Sequence, residues 1–250
     1  MVWNTIAEKI LQLNDLDRQC QAFGAAKHRY AFRPVLSTDH LKEFERDHAF
    51  QIPDELRKVY LELGNGGVGP HYGLLPLDQW QLFQPAIPYH GADHHRQRYL
   101  EEHPDADPAN PYFEADFDEI TGLVGVIHEG CGHMTCMVTA GEKVGKIVYC
   151  SCDGHLSDAD ANLADIYLDW LHTEIGLFKE AARTVENYRT ASDSPGGYES
   201  TVVKRDRERR IRSLLNMPGT DASAPYEYPE ETDFLGWNDP PLPRWWEFWK

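Results

Sequence analysis

Six side chains able to hold a soft metal ion fall in one stretch of the chain: Cys131, His133, Cys136, Cys150, Cys152 and His155. Zinc takes thiolate and imidazole in tetrahedral groups, usually from paired Cys-x-x-Cys turns. The spacings here are Cys-x-His-x-x-Cys and Cys-x-Cys-x-x-His. Alternation along strands puts Cys136 on one face, while Cys150 and Cys152 share a single face. Small thiols packing inside a sheet account for such residues without a metal, so no metal is expected. The neighbouring "HEGCGH" has one residue too many for the His-Glu-x-x-His signature, and Gly130 and Gly132 oppose the helix that signature needs. A zinc deaminase needs His-x-Glu followed by Pro-Cys-x-x-Cys, and no Pro-Cys-x-x-Cys occurs. Cys131 beside His128 or His133 has the residue types of a nucleophile and base, yet nothing in the spacing selects that pair. His90, His94 and His95 lie in a Pro-bounded polar stretch that reads as an exposed loop. No cofactor is implied.

The other chemical lookalike is "GNGGVG", residues 64–69, with four glycines in six positions. A phosphate-binding loop needs a strand before its glycines and a helix after them, because the helix N-terminus and backbone amides hold the anion. Here the helical pattern comes first and Pro70-His71 follows. The negative end of the helix dipole faces the turn, so Gly64, Asn65, Gly66 and Gly67 are expected to shape the backbone, with Gly64 or Asn65 supplying the left-handed residue that ends the helix.

The elements that must position these residues follow from periodicity. Within residues 2–23, Ile6, Ile10 and Leu13 recur at helical spacing, and Phe23-Gly24 offers a stop. Ser37 or Thr38 caps a second helix carrying Leu41 and Phe44 inward. Pro53 opens a third, with Asp54 and Glu55 near its positive end and Leu56, Val59, Tyr60 and Leu63 in one stripe. The period then drops to two: Met134, Cys136 and Val138 alternate with Thr135, Met137 and Thr139, and a glycine turn at 141–145 joins them to Ile147–Cys152, giving a hairpin or meander. Helix returns with Leu163, Ile166, Tyr167, Trp170, Leu171 and Ile175 on one side. The order helices, strands, helices predicts an α+β fold without βαβ repetition.

A chain of 250 residues with 41% hydrophobic content can bury a large core. Its N-terminus lacks a basic region followed by an apolar one, and no apolar run is long enough to span a membrane, which points to a cytoplasmic protein without membrane contact. Five cysteines suit reduced thiols. The net charge of −17 argues against direct nucleic-acid binding and favours a basic protein partner. Residues 100–120 and 147–178 contain no Lys or Arg. Candidate partner-binding carboxylates are Asp105, Asp107, Glu114, Asp116, Asp118 and Glu119 in the first tract, and Asp153, Asp158 and Asp160 in the second. Much of the compensating basic charge sits in "KRDRERRIR", residues 204–212.

The ordered motifs carry a resemblance. An apolar-Pro-acidic helix "IPDELRKVYLELG", its Asn-Gly-Gly ending, "GPHYGLLPL", then "EGCGHMTCMVTAGEKVGKIVY" and "ADIYLDWLHTEI" together resemble the SUKH superfamily, the Smi/Knr-like domain, over roughly residues 36–185. Cys150 and Cys152 stand where that family often has Trp and Asp, and the pattern does not extend past about residue 190. The resemblance implies an α+β domain with a central antiparallel sheet flanked by helices and no catalytic machinery. It further implies an immunity protein that binds and neutralises a cognate toxin, often one acting on nucleic acid. A regulatory scaffold built on the same domain is the alternative, and a metal-dependent enzyme the third. Residues 1–190 are expected to form the domain. Residues 191–250, with a further helix and the aromatic stretch containing Trp237, Trp245, Trp246, Phe248 and Trp249, are expected to pack upon it.

Overall fold

The computed structural model describes residues 2–110, 113 and 117–190. The expected helix at 201–215 and the aromatic tail lie outside the described residues, as do Glu114 and Asp116. Helix α1 (Val2–Leu16) buries Trp3, Ile6, Ile10 and Leu13, the three- and four-residue spacing that makes one apolar stripe. It ends well before Phe23-Gly24. The buried carboxylate of Asp17 accepts hydrogen bonds from the amides of Gln21 at 2.7 Å and Ala22 at 2.8 Å and from the Tyr30 hydroxyl at 2.6 Å. An aspartate that satisfies downstream amides offers the backbone an alternative to helix, and here it turns the chain.

A four-residue helix, α2 (Ala25–His28), precedes α3 (Thr38–His48), which Ser37 caps by accepting from the His40 amide at 3.2 Å. Helix α4 (Asp54–Glu62) follows Pro53 and buries Leu56, Val59 and Tyr60. The left-handed residues past its end are Gly66 (φ 79°) and Gly67 (φ 116°), not Gly64 or Asn65. Helix α4 closes instead with the Gly64 amide donating to the Val59 carbonyl, and Asn65 serves by accepting the Leu77 amide on its side-chain oxygen at 2.8 Å.

The long helix α6 (Leu163–Thr190) packs against α1, with Trp3 edge-on to Tyr167 at 5.3 Å. Its first free amides have a remote partner. Glu55, in the first turn of α4, accepts from Leu163 at 3.0 Å and from Ala164 at 3.1 Å, so one carboxylate caps a helix that starts more than a hundred residues later. Replacing Glu55 with alanine is expected to lower stability by about 2 kcal/mol, read as a shift in the urea midpoint, because two partly buried amides lose a charged acceptor together.

Between these helices lies one antiparallel sheet in chain order: β1 (Gln81–Phe83), β2 (Leu123–Gly130), β3 (His133–Val138), β4 (Ile147–Cys150) and β5 (Leu156–Ala159). Both faces of its centre are covered. Residues Leu123–Ile127 and Met134–Val138 are buried throughout, so the alternation in β3 does not divide a wet face from a dry one. The polar members of that alternation are satisfied inside: Thr135 donates to Glu129 at 2.6 Å and Thr139 to the Pro85 carbonyl at 2.9 Å. The register sets Cys136 opposite Val148 and Cys150 opposite Met134. Cys136 and Cys150 therefore share a face, against the expected separation, and a hydrogen bond between the thiols together with burial holds the Cys136 thiol well above its usual range.

The glycine turn extends this sheet. Single bridges run Phe32 to Gly67, Gly67 to Leu74 and Leu74 to Ile127, laying three backbone segments beside the far half of β2. Gly67 exchanges hydrogen bonds with Leu74 at 2.8 Å in both directions, the Arg33 amide reaches the Gly66 carbonyl at 3.0 Å, and the Val68 carbonyl accepts from the Tyr167 hydroxyl at 2.7 Å. The turn is a buried junction of the fold.

Residues 92–102 are helical, not an exposed loop: α5 (Ala92–Glu102) sits against β5. His95 is buried in it, stacked on Tyr89 at a centroid separation of 6.0 Å. Burial pushes the His95 imidazole down to about 4.

Candidate protein-binding surface

Antiparallel pairing of β2, β3 and β4 brings the turn at Gly130–Gly132 and the turn at Ser151–His155 to the same end of the sheet. The second turn is closed by its own serine. The Ser151 hydroxyl accepts from the amides of Asp153 at 3.3 Å and His155 at 3.1 Å, and the Ser151 amide donates to the His155 carbonyl at 2.9 Å. This leaves Asp153 exposed at the tip.

The first acidic tract reaches the same place. Phe113 is buried against the His155 ring at 4.9 Å, its amide 3.4 Å from His155 Nδ1, and Tyr99 of α5 lies behind it at 6.4 Å. Arg96 ties the preceding loop to α5 by donating to the carbonyls of Pro108 and Asn110. Within that loop Asp107 accepts the Ala109 amide at 2.8 Å and stays exposed, as does Asp105. Two stretches without lysine or arginine, far apart in sequence, thus meet across the Phe113–His155 contact.

The seven candidate carboxylates among the described residues are not equivalent in this arrangement. Asp158 is structural: it accepts from Lys143 at 2.6 Å, from the Tyr89 hydroxyl at 2.6 Å and from the Ala92 amide at 3.3 Å, fixing α5 to β5. Burial pushes its carboxyl up, but the bonds from Lys143 and Tyr89 outweigh this and hold it below the usual carboxylate range. Asp160 is fully exposed and pairs with Lys146 at 3.0 Å, and Glu119 pairs with Arg98. Asp105, Asp107, Asp118 and Asp153 are exposed. The neutralising partners Lys143, Lys146 and Arg98 are the residues that the charge tracts could not reveal, since each lies outside the tract it compensates.

The cysteines and histidines are dispersed. Cys136 and Cys150 are buried in the sheet, Cys131 and His133 are on the exposed turn, and among the described residues no group of three or more Cys, His, Asp or Glu is placed to hold a metal ion. Among the same residues no helix is long and apolar enough to cross a membrane.

Five strands in chain order, wrapped by helices from both ends of the described chain, define an α+β domain with a central antiparallel sheet. The chain belongs to the SMI1 / KNR4 family (SUKH-1), whose model matches residues 36–170. That family includes immunity proteins, and its domains are generally non-enzymatic immunity or regulatory modules. No curated protein matches the chain by sequence.

Proposed function

We propose that this protein is an immunity protein that neutralises a basic toxin, in particular one acting on nucleic acid, by direct one-to-one binding in the cytoplasm, without catalysis. The observation that carries the reading is the convergence of the two acidic tracts at Phe113 and His155. Carboxylates arrayed on one surface imitate a row of phosphates, and a toxin that binds nucleic acid presents the complementary basic cleft. Asp105, Asp107, Asp118 and Asp153 would meet the partner, with Glu114 and Asp116 in the same tract. Glu119, Asp158 and Asp160 would add to the field while their cationic partners hold them in place.

The test is titration of the full chain with the product of the adjacent gene at low and high salt. A tight one-to-one complex is expected, its association slowing about tenfold as the salt rises, because long-range steering is screened over roughly 8–10 Å. The variant D105N/D107N/D153N is expected to slow association further while changing dissociation little. Binding to several host proteins and to no toxin would replace this reading with a regulatory scaffold.

A further inference from the structure

At the same end of the sheet, next to the turn that carries Cys131, two large aromatic side chains stand in solvent. Phe23 is 54% exposed and Tyr72 40%, with ring centroids 5.1 Å apart. His71 approaches Phe23 at 6.0 Å and His128 approaches Tyr72 at 5.7 Å. The backbone that carries these aromatics is held from below. The Asp17 carboxylate binds the amides of Gln21 and Ala22 just before Phe23. Gly24, at φ 77°, lies so close to the His71 carbonyl that a Cβ there would overlap it. His71 itself has φ 52° and Cys131 φ 49°, a backbone region that non-glycine residues seldom occupy. Cys131 and Gly132 (φ 79°) form the two-residue turn of the β2–β3 hairpin, where positive φ is the usual geometry, and His71 is held by the close approach of Gly24.

One carboxylate belongs to this corner. Glu129 follows His128 in β2, its side chain is 20% exposed, and Thr135 orients it through a 2.6 Å hydrogen bond; its other oxygen lies 4.0 Å from His71 Nε2. Gly130 leaves the space beside it to the Tyr72 ring: a Cβ at that position would be 3.1 Å from Tyr72 Cε2.

We infer that Phe23, Tyr72 and Glu129 form an anchor site for an arginine side chain of the basic protein partner, an inference that rests on the partner's being basic. A guanidinium is planar and weakly hydrated, so it stacks flat on aromatic rings while its edge donates to a carboxylate. A lysine ammonium is compact and strongly hydrated and satisfies only the charge. Fixed aromatics that need no ordering on binding are the kind of residue that dominates interface energy. The corner adjoins the acidic surface, since the turn that carries Cys131 and the Ser151–His155 turn lie at the same end of the sheet.

The test uses the full chain, an oligoarginine peptide and an oligolysine peptide of equal length, followed through the aromatic NMR signals. Oligoarginine is expected to shift the signals of Phe23 and Tyr72 and to bind about two- to fivefold more tightly than oligolysine. The variants F23A and, independently, E129Q are expected to remove that preference while salt-sensitive binding of both peptides remains. Equal binding of the two peptides, with shifts confined to the surface around Asp153, would overturn the anchor and leave the acidic surface standing. Failure of either peptide to bind at low salt would overturn both. If the substitutions W245A and W246A move the Phe23 and Tyr72 signals in the absence of peptide, the chain's own tail fills the corner and the inference is wrong.

Discussion

Gly67→Ala is expected to lower the stability of the fold by about 3 kcal/mol or more, seen as a drop of about 1 M or more in the urea midpoint. Two effects add. At φ 116° the residue occupies backbone space that an L side chain resists, and a Cβ would overlap the Ala31 carbonyl oxygen while lying 2.8 Å from the Phe32 Cα. Neither neighbour is a flexible side chain that could move aside. Gly67 also carries reciprocal hydrogen bonds with Leu74, so any shift that relieves the clash lengthens them. Gly145→Ala is the control: φ there is 87° and nothing lies within 4 Å of the added carbon, so only the conformational strain remains, about 1 kcal/mol. Equal losses in the two variants would refute the argument from close packing.

Acid is expected to weaken the fold from above the range where carboxylates titrate, and the buried His28 is one of two comparable reasons. It is 1% exposed, its Nδ1 accepts the Tyr30 amide at 3.1 Å, and its ring meets Tyr30 at 5.4 Å and Trp170 at 6.1 Å. Burial pushes its imidazole down from 6.5 to about 4, against a smaller opposing influence of the Gly69 backbone. The unfolded chain therefore takes a proton at pH values where the native protein does not. The stability from this group is complete above pH 6.5 and is lost as pH falls towards about 4. By order of magnitude the loss is about 2 kcal/mol between pH 7 and pH 5.

His95 acts in the same sense. Asp17 and Glu55 act in the opposite one: burial raises their carboxyls above the ordinary 3.8 and 4.5, so each adds stability as pH falls through its raised value. The difference between the native protein and His28→Gln isolates the histidine. The variant is expected to be less stable at pH 7 and flatter with pH, and parallel profiles would exclude His28 as a source.

What the sequence disclosed was local. The stripe of Ile6, Ile10 and Leu13, the Ser37 cap, the Pro53 start, the Leu163–Ile175 stripe and the glycine connection at 141–145 all depend on residues within a few positions of one another, where helix and turn chemistry is written directly. Helix α5 escaped because its only buried residue is a histidine, so no apolar stripe announces it. The end of α1 was misplaced because Asp17 acts through Gln21, Ala22 and Tyr30, a network without a periodic signature. The candidate surface was legible only as composition. That the two acidic tracts touch depends on Phe113 meeting His155, and that Asp158 is a structural joint depends on Lys143 and Tyr89, which come from distant parts of the chain.

The pairing of α1 with α6 bears on how the protein is made. Every strand of the sheet bonds to its neighbour in the chain, so the meander can assemble as it leaves the ribosome. Helix α1, however, emerges long before α6 and buries Trp3 against Tyr167, near the far end of the described chain. At translation speeds of about 5–20 residues per second, its apolar side waits on the order of ten seconds for its partner. During that interval the nascent chain carries an open hydrophobic stripe, and a transcript broken before the codons of α6 would release it uncovered to the cell's chaperones and proteases.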